Sequence, residues 1–200
     1  MNHEIIQSYF DKLYSHFEND IKQITCISHN ELYGELYYYS VVKLLKYLNI
    51  TDKDHVLDIG SGVGKIVFQI FMTTKAVSVT GIEINNNRSI IANKIKDIIF
   101  KQLPELFNPP RYLNLINGDF LNHDFNNISI IYVCSTVFSL ELLNAIGKKI
   151  NTMNNVEKII SFRQLSNLNH FQLTKKIFVH GDWDYAICYL YVKIPIAIEF

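Results

Sequence analysis

The segment Asp58-Ile59-Gly60-Ser61-Gly62-Val63-Gly64 carries the strongest chemical signal in the chain. Glycines at alternate positions let backbone approach a ligand closely, and the residues behind them can present free N–H groups at a helix start. The G-x-G-x-G spacing differs from the G-x-G-x-x-G of dinucleotide folds, and an acid stands two residues before the first glycine. Both differences favour S-adenosylmethionine as the ligand. Two further acids follow in order. Glu83, in Gly81-Ile82-Glu83, is placed to accept two hydrogen bonds from ribose hydroxyls. Asp119, in Gly118-Asp119-Phe120, is placed to accept from an adenine amino group while Phe120 stacks on the base. Singly these are an ordinary turn, a solvated charge and a cap. Three in order, each at the carboxyl end of a strand, specify a pocket.

The surrounding elements must bring them together. His55–Ile59 reads as a short apolar strand ending at Gly60, followed by a helix through Ile66, Val67, Ile70 and Phe71. Strand 76–82, helix 88–103, strand 112–116, strand 128–133, helix 140–150 and strand 156–162 continue the alternation. Strands 176–180 and 185–192 have no helix between them, so they form an antiparallel hairpin. This pattern predicts an α/β fold: a Rossmann-like, seven-stranded, mostly parallel sheet with a C-terminal antiparallel hairpin and helices on both faces. Its ligand belongs at the carboxyl ends of the first strands. Upstream, Ile5, Ile6, Tyr9, Phe10, Leu13, Phe17, Ile21 and Ile24 recur near a 3.6 period, which predicts one N-terminal amphipathic helix capped by Asn2. A second helix runs through Val41–Leu48 to Asn49. The expected division is a helical segment with a cofactor-covering loop over 1–40 and a cofactor-binding domain over 41–200.

Several separated segments resemble one known family, the class I methyltransferases of the DOT-like (disruptor of telomeric silencing) protein-lysine type, which includes small archaeal lysine methyltransferases. Tyr33-Gly34-Glu35 resembles the family's Y-G-E loop, Asp58–Gly64 its D-x-G-S-G-x-G turn, Gly81–Glu83 its G-(V/I)-E, and Gly118–Leu121 its G-D-F-L. Order and intervals agree from Tyr33 to Lys193, and the tail with Trp183 and Tyr189-Leu190 resembles the closing strand. The resemblance implies S-adenosyl-L-methionine as cofactor. It implies that Tyr33, Gly34 and Glu35 fold over the methionine part and that Asp58 faces its amino group. Gly60, Ser61, Gly62 and Gly64 would form the turn beneath it, with Glu83 at the ribose and Asp119 and Phe120 at the adenine. Lys65, where eukaryotic members commonly carry Gln, is placed to pair with the cofactor's carboxylate. A protein substrate with an accessible lysine is implied as partner.

One stretch departs from that pattern. Where the family has N-N-F-A-F after the fourth strand, this chain has Cys134-Ser135-Thr136-Val137-Phe138. Phe138 is kept, and Ser135 and Thr136 retain hydrogen-bonding capacity on shorter side chains. The expected catalytic set is Tyr33, Ser135, Phe138 and Tyr189, with the aromatics lining a tunnel for the target amine; Trp183 and Tyr191 lie in the same segments. Asn108-Pro109-Pro110-Arg111 resembles the N-P-P-Y motif of amino methyltransferases, but it precedes the third strand and lacks the final aromatic. It reads as a helix-ending turn.

Composition sets the remaining bounds. The 200 residues are 48% hydrophobic and 13% aromatic, enough for a packed core. Nineteen Lys+Arg balance nineteen Asp+Glu, and only Arg88, Arg111 and Arg163 are arginine, so no nucleic-acid partner is expected. Residues 1–40 carry two Lys and six acids, and the body is correspondingly positive. Cys26, Cys134 and Cys188 are odd in number and widely spaced, which predicts neither a disulfide framework nor a metal site and fits a reducing cytoplasm. No apolar stretch reaches the roughly 18 residues of a membrane span, and no secretory signal is expected. The reading is a protein-lysine N-methyltransferase with a non-histone substrate. The alternatives are a small-molecule or RNA methyltransferase and a cofactor-binding module without turnover.

Overall fold

A computed structural model describes residues 2–27 and 34–195 of the chain. Seven strands, β1 (His55–Ile59), β2 (Ser78–Glu83), β3 (Tyr112–Asn117), β4 (Ile130–Val133), β5 (Lys158–Ser161), β6 (Phe171–His180) and β7 (Tyr185–Lys193), form one sheet in the order β3-β2-β1-β4-β5-β7-β6. Strands β1 to β5 pair in parallel, and β7 runs antiparallel to both β5 and β6. The sheet is thus the expected class I, Rossmann-like arrangement with its C-terminal hairpin. Chain order reverses at β1 and β4, and the crevice above such a switch point is where open α/β sheets place ligands.

Alternation along the strands sorts side chains onto two faces. Val56 and Ile130 face one apolar cluster, while Leu57, Ile59, Ile131 and Val133 face the other. The first face is covered by α1 (His3–Ser15), α3 (Tyr38–Leu48), α4 (Lys65–Thr73) and α5 (Asn86–Gln102), whose buried apolar residues, Val42 and Ala92 apart, join its cluster. The second is covered by α6 (Leu140–Ile150) together with Phe120, Ile128, Met153 and Leu165 from connecting segments. Ile6, Phe10, Leu13, Tyr14 and Phe17 belong to the same core as Val56 and Val67, so the N-terminal segment packs into the body.

The single N-terminal helix expected from periodicity is two, α1 and α2 (Glu18–Ile27). Ser15 Oγ donates to the Lys12 carbonyl at 2.8 Å and the His16 ring meets the same oxygen at 2.6 Å. The His16 N–H then turns to Leu13 and Tyr14. Side chains that engage a helix carbonyl compete with the next backbone bond, while the apolar spacing continues unbroken through Phe17. β6 is also longer than expected, beginning at Phe171, with a register shift between Leu173 and Lys175. Arg111, from the N-P-P-R segment, donates to the carbonyls of Phe71, Thr74 and Ala76 near the end of α4, a structural role.

Candidate active site

Gly60, Gly62 and Gly64 have φ of 76°, 56° and 84°. This left-handed region disfavours residues with a Cβ, which explains why the turn between β1 and α4 needs all three. The turn is anchored at both ends. Gly60 N–H and Ser61 N–H donate to the Ile82 carbonyl at 2.9 and 3.0 Å. Gly62 N–H donates to Glu83 Oε2 at 2.8 Å, and Asn85 N–H donates to Glu83 Oε1 at 2.8 Å. Glu83, 5% exposed, therefore brackets the glycine turn to the end of β2 and the start of α5. Each carboxylate oxygen keeps a lone pair for a further donor.

Beneath the turn lies a cleft lined by Gly34, Glu35, Asp58, the Gly60–Gly62 turn, Lys65, Tyr132 and Cys134. Asp58 is 1% exposed, and its Oδ1 is buried with no hydrogen-bond partner. Burial, and secondarily the charge of Glu83, pushes its carboxyl well above the usual carboxylate range. A buried acid so placed awaits a cation, because an adjacent positive group stabilises its ionised form. Tyr132, on β4, is 2% exposed, and its hydroxyl is likewise buried without a partner. Cys134 is half-buried; its thiol is pushed up to about 12, first by burial and then by Asp58, so it stays protonated at neutral pH.

The Gly34–Tyr37 segment is stitched over the cleft. Leu36 forms an antiparallel bridge with Gly181, Tyr37 N–H donates to His180 O at 3.1 Å, and Asp182 N–H donates to Glu35 O at 3.0 Å. Glu35 N–H donates to Asp182 Oδ1 at 2.9 Å. An ideal Cβ at Gly34 would lie 2.4 Å from the Trp183 ring, so glycine is what lets the segment lie against that ring. Lys65 pairs with the Glu35 carboxylate, and both line a second cavity of about 250 Å³ toward α1, so the pair forms a wall between the two spaces. Tyr33 lies outside the described residues.

The other expected residues occupy different surroundings. Asp119 caps the short 3-10 turn Phe120–Asn122: Oδ1 accepts from Leu121 N–H at 2.9 Å and Oδ2 from Asn122 Nδ2 at 3.0 Å. Phe120 is packed in the core, stacked on Phe125 with ring centroids 5.7 Å apart, so little of its face stands open to a base. Phe138 lies over the first glycine, its ring tip 3.1 Å from an ideal Gly60 Cβ. Tyr189 is half-buried on β7, opposite Ser161 at the end of β5. Ser135 needs correction. It is fully buried, its hydroxyl lies 2.9 Å from Ser161 Oγ, and it accepts the Arg163 N–H at 3.0 Å. It ties the end of β4 to the end of β5 and has no surface for a target amine. Tyr132 was not among the expected residues: a tyrosine inside an apolar strand reads as core, and only the unpartnered hydroxyl distinguishes it.

Residues 15–179 match the family described as Histone methylation protein DOT1. The chain belongs to this family. Two DOT1-type relatives are histone-lysine N-methyltransferases specific for histone H3 lysine 79. The one from Drosophila melanogaster is 26% identical over 152 residues, and the one from Caenorhabditis elegans is 25% identical over 166. The matches cover 73% and 74% of this chain but only 8% and 18% of the relatives. The chain thus corresponds to a small part of these DOT1 proteins. The fold also recurs in an RNA methyltransferase from Salinibacter ruber solved with S-adenosyl-L-homocysteine. That likeness has a TM-score of 0.59 at 16% identity, covering 83% of this chain and 97% of that one. Magnesium protoporphyrin IX methyltransferase from Synechocystis, solved with its cofactor bound, gives a TM-score of 0.59 at 12% identity over 96% and 98% of the two chains.

Proposed function

We propose that this chain is an S-adenosylmethionine-dependent methyltransferase that methylates lysine side chains of a protein. The observation that carries the reading is Asp58, a buried carboxyl whose Oδ1 has no hydrogen-bond partner, under a left-handed glycine turn at the β1/β4 switch point. The cofactor supplies a methyl group on a sulfonium with a neutral thioether as leaving group. Asp58 would hold its ammonium, the free lone pairs of Glu83 its ribose hydroxyls, and Asp119 its adenine amino group. The segment Gly34–Tyr37 excludes water from the reacting centre.

The protein's work is then alignment and control of one proton. Alignment of reactants accounts for about 7 to 11 kcal/mol of barrier in favourable cases. A lysine amine, with reference pKa about 10.4, favours its neutral form in an apolar channel beside a positive centre. Phe138 and Tyr189 are the aromatic residues that would line such a channel. Cys134 holds its proton at neutral pH and is therefore not the base that takes the amine's proton.

Within this reaction the substrate we infer is a protein other than a histone. Zero net charge and three arginines supply little attraction for a nucleosome's DNA, and the same features count against RNA. The unpaired Cys134 and Cys188 suit a cytoplasmic setting. A second reading, cofactor binding without turnover, is favoured by the Cys134-Ser135-Thr136 departure, since Ser135 is committed to the fold.

Incubation with methyl-labelled cofactor against nucleosomes, free histone H3, RNA and cell lysate, followed by mass spectrometry, separates these readings. Methyl-lysine on a lysate protein other than histone is expected. Label confined to RNA or small molecules refutes the lysine reading, and label on histone H3 refutes the substrate inference. Tight cofactor binding without any transfer establishes the second reading.

A further inference from the structure

Tyr132 and Asp58 are register partners on the parallel β4–β1 pair. Each follows, by two residues, a side chain in the same apolar cluster, Ile130 and Val56, so both point to the same face of the sheet. Each carries a buried polar atom with no partner, so they are not bonded to one another, and both line one cleft. A phenylalanine would fill the ring's space equally well. The ring is fixed edge-on against Phe162, centroids 6.0 Å apart, and Phe162 is edge-on to Trp183 at 6.3 Å. Trp183 in turn lies against Gly34 and Gly181. The hydroxyl is therefore held in place before any ligand arrives.

A ligand group that satisfies both atoms must offer a positive donor to Asp58 and, beside it, a partner for a phenol. Burial, followed by the neighbouring Cys134 and Asp58, pushes the Tyr132 hydroxyl well above its ordinary value, so it keeps its proton and acts as a donor. An α-amino acid group carries an ammonium and a carboxylate on one carbon. The cation that lines the cleft, Lys65, is paired with Glu35. We propose that Tyr132 is a cofactor-binding residue whose hydroxyl donates to the carboxylate of the cofactor's amino-acid end, next to the ammonium held by Asp58. This rests on the reading of the cleft as the adenosyl cofactor site. It makes the β1–β4 pair a reader of the zwitterion, one strand for each charge.

The test is a binding cycle using protein and ligand changes together. Wild type and Tyr132→Phe are titrated by calorimetry with S-adenosylmethionine, its decarboxylated form, which keeps the ammonium and loses the carboxylate, and 5′-methylthioadenosine, which lacks the amino-acid end. Removing the hydroxyl is expected to weaken S-adenosylmethionine binding about 10- to 150-fold, the range of a hydrogen bond to a charged group. It should leave methylthioadenosine unchanged and cost little or nothing for the decarboxylated ligand. The unliganded Tyr132→Phe protein should melt at or above the wild-type temperature, because a buried unsatisfied hydroxyl has been removed. Equal S-adenosylmethionine affinity in the two proteins overturns the proposal and leaves a buried water as the hydroxyl's partner. Parallel weakening of all three ligands also overturns it, as an effect of altered packing. If the variant fails to fold, the wild type alone decides: equal affinity for the carboxylated and decarboxylated ligands refutes the contact. A wild type that binds none of the three removes the reading of the site and this proposal with it.

Discussion

Glu83 is the residue whose loss should be felt most widely. Its two carboxylate oxygens accept from Gly62 N–H and Asn85 N–H, each at 2.8 Å, in a setting only 5% exposed. Glu83→Ala deletes both acceptors and leaves the buried Gly62 N–H and the half-buried Asn85 N–H without these partners. A hydrogen bond to a charged group contributes about 1.5 to 3 kcal/mol, and an abandoned buried donor bears its full desolvation cost. Some of this is recovered if water enters the vacated space, so about 3 to 5 kcal/mol is expected. For a domain of this size each kcal/mol lowers the melting temperature by about 2 to 4 °C, which gives a fall of roughly 6 to 20 °C. Glu83→Gln keeps one acceptor and turns a donor toward the other N–H, so it should recover less than half the loss. Cofactor affinity should fall by a further amount, about 1 to 3 kcal/mol for lost ribose contacts. Differential scanning calorimetry of the unliganded proteins isolates the first effect and calorimetric titration the second. A Glu83→Ala protein that melts within a degree of wild type would refute the bracketing role. Normal melting with weakened binding would limit Glu83 to the ribose.

Three further outcomes follow from the same geometry. Asp58 has its proton affinity raised in the folded protein; its contribution to the unliganded protein's stability is full below the unfolded carboxyl value of about 3.9 and is lost as pH rises through the raised folded value. Binding an ammonium requires the carboxylate, so cofactor affinity should rise with pH across that same window, with proton release visible as buffer-dependent binding heats; Asp58→Asn should abolish both pH dependences. Gly34→Ala should weaken cofactor binding through the 2.4 Å approach to Trp183, at a cost of about 1 to 3 kcal/mol for overpacking. Combination with Trp183→Ala should recover part of that loss, and strict additivity in titrations would contradict the stitched segment. Ser135→Ala should lower stability by about 1 to 2 kcal/mol through the Arg163 N–H, with turnover per folded molecule unchanged; a drop in kcat at unaltered melting temperature would restore Ser135 to the chemistry.

How far the sequence could be read depended on whether a feature leaves a local trace. The strands bearing Asp58 and Glu83 announce themselves through apolar runs ended by glycine or acid, and the positive-φ turn through glycine itself. The break after Ser15 leaves none, because Leu13, Tyr14 and Phe17 keep the helical period while side chains capture the Lys12 carbonyl. Ser135 looked like a substitute hydrogen-bonding residue because its segment aligns with a functional one; its partner Ser161 is 26 residues away, a pairing made only when β4 and β5 align. Tyr132 was hidden for the opposite reason. A tyrosine among Ile130, Ile131 and Val133 is ordinary core until the hydroxyl is traced and found alone. Lys65 and Glu35 were each legible as cofactor contacts, but their mutual pairing depends on a segment folding back across the sheet edge.

The central claim is that Asp58 waits for a cation and the cofactor's ammonium supplies it. A crystal structure of the protein with S-adenosyl-L-homocysteine tests this most directly. The account predicts the ligand's amino nitrogen within hydrogen-bonding distance of Asp58 Oδ1, about 2.7 to 3.1 Å, with the ribose against Glu83. A ligand seated elsewhere, or an Asp58 Oδ1 still without a partner beside bound ligand, would contradict it.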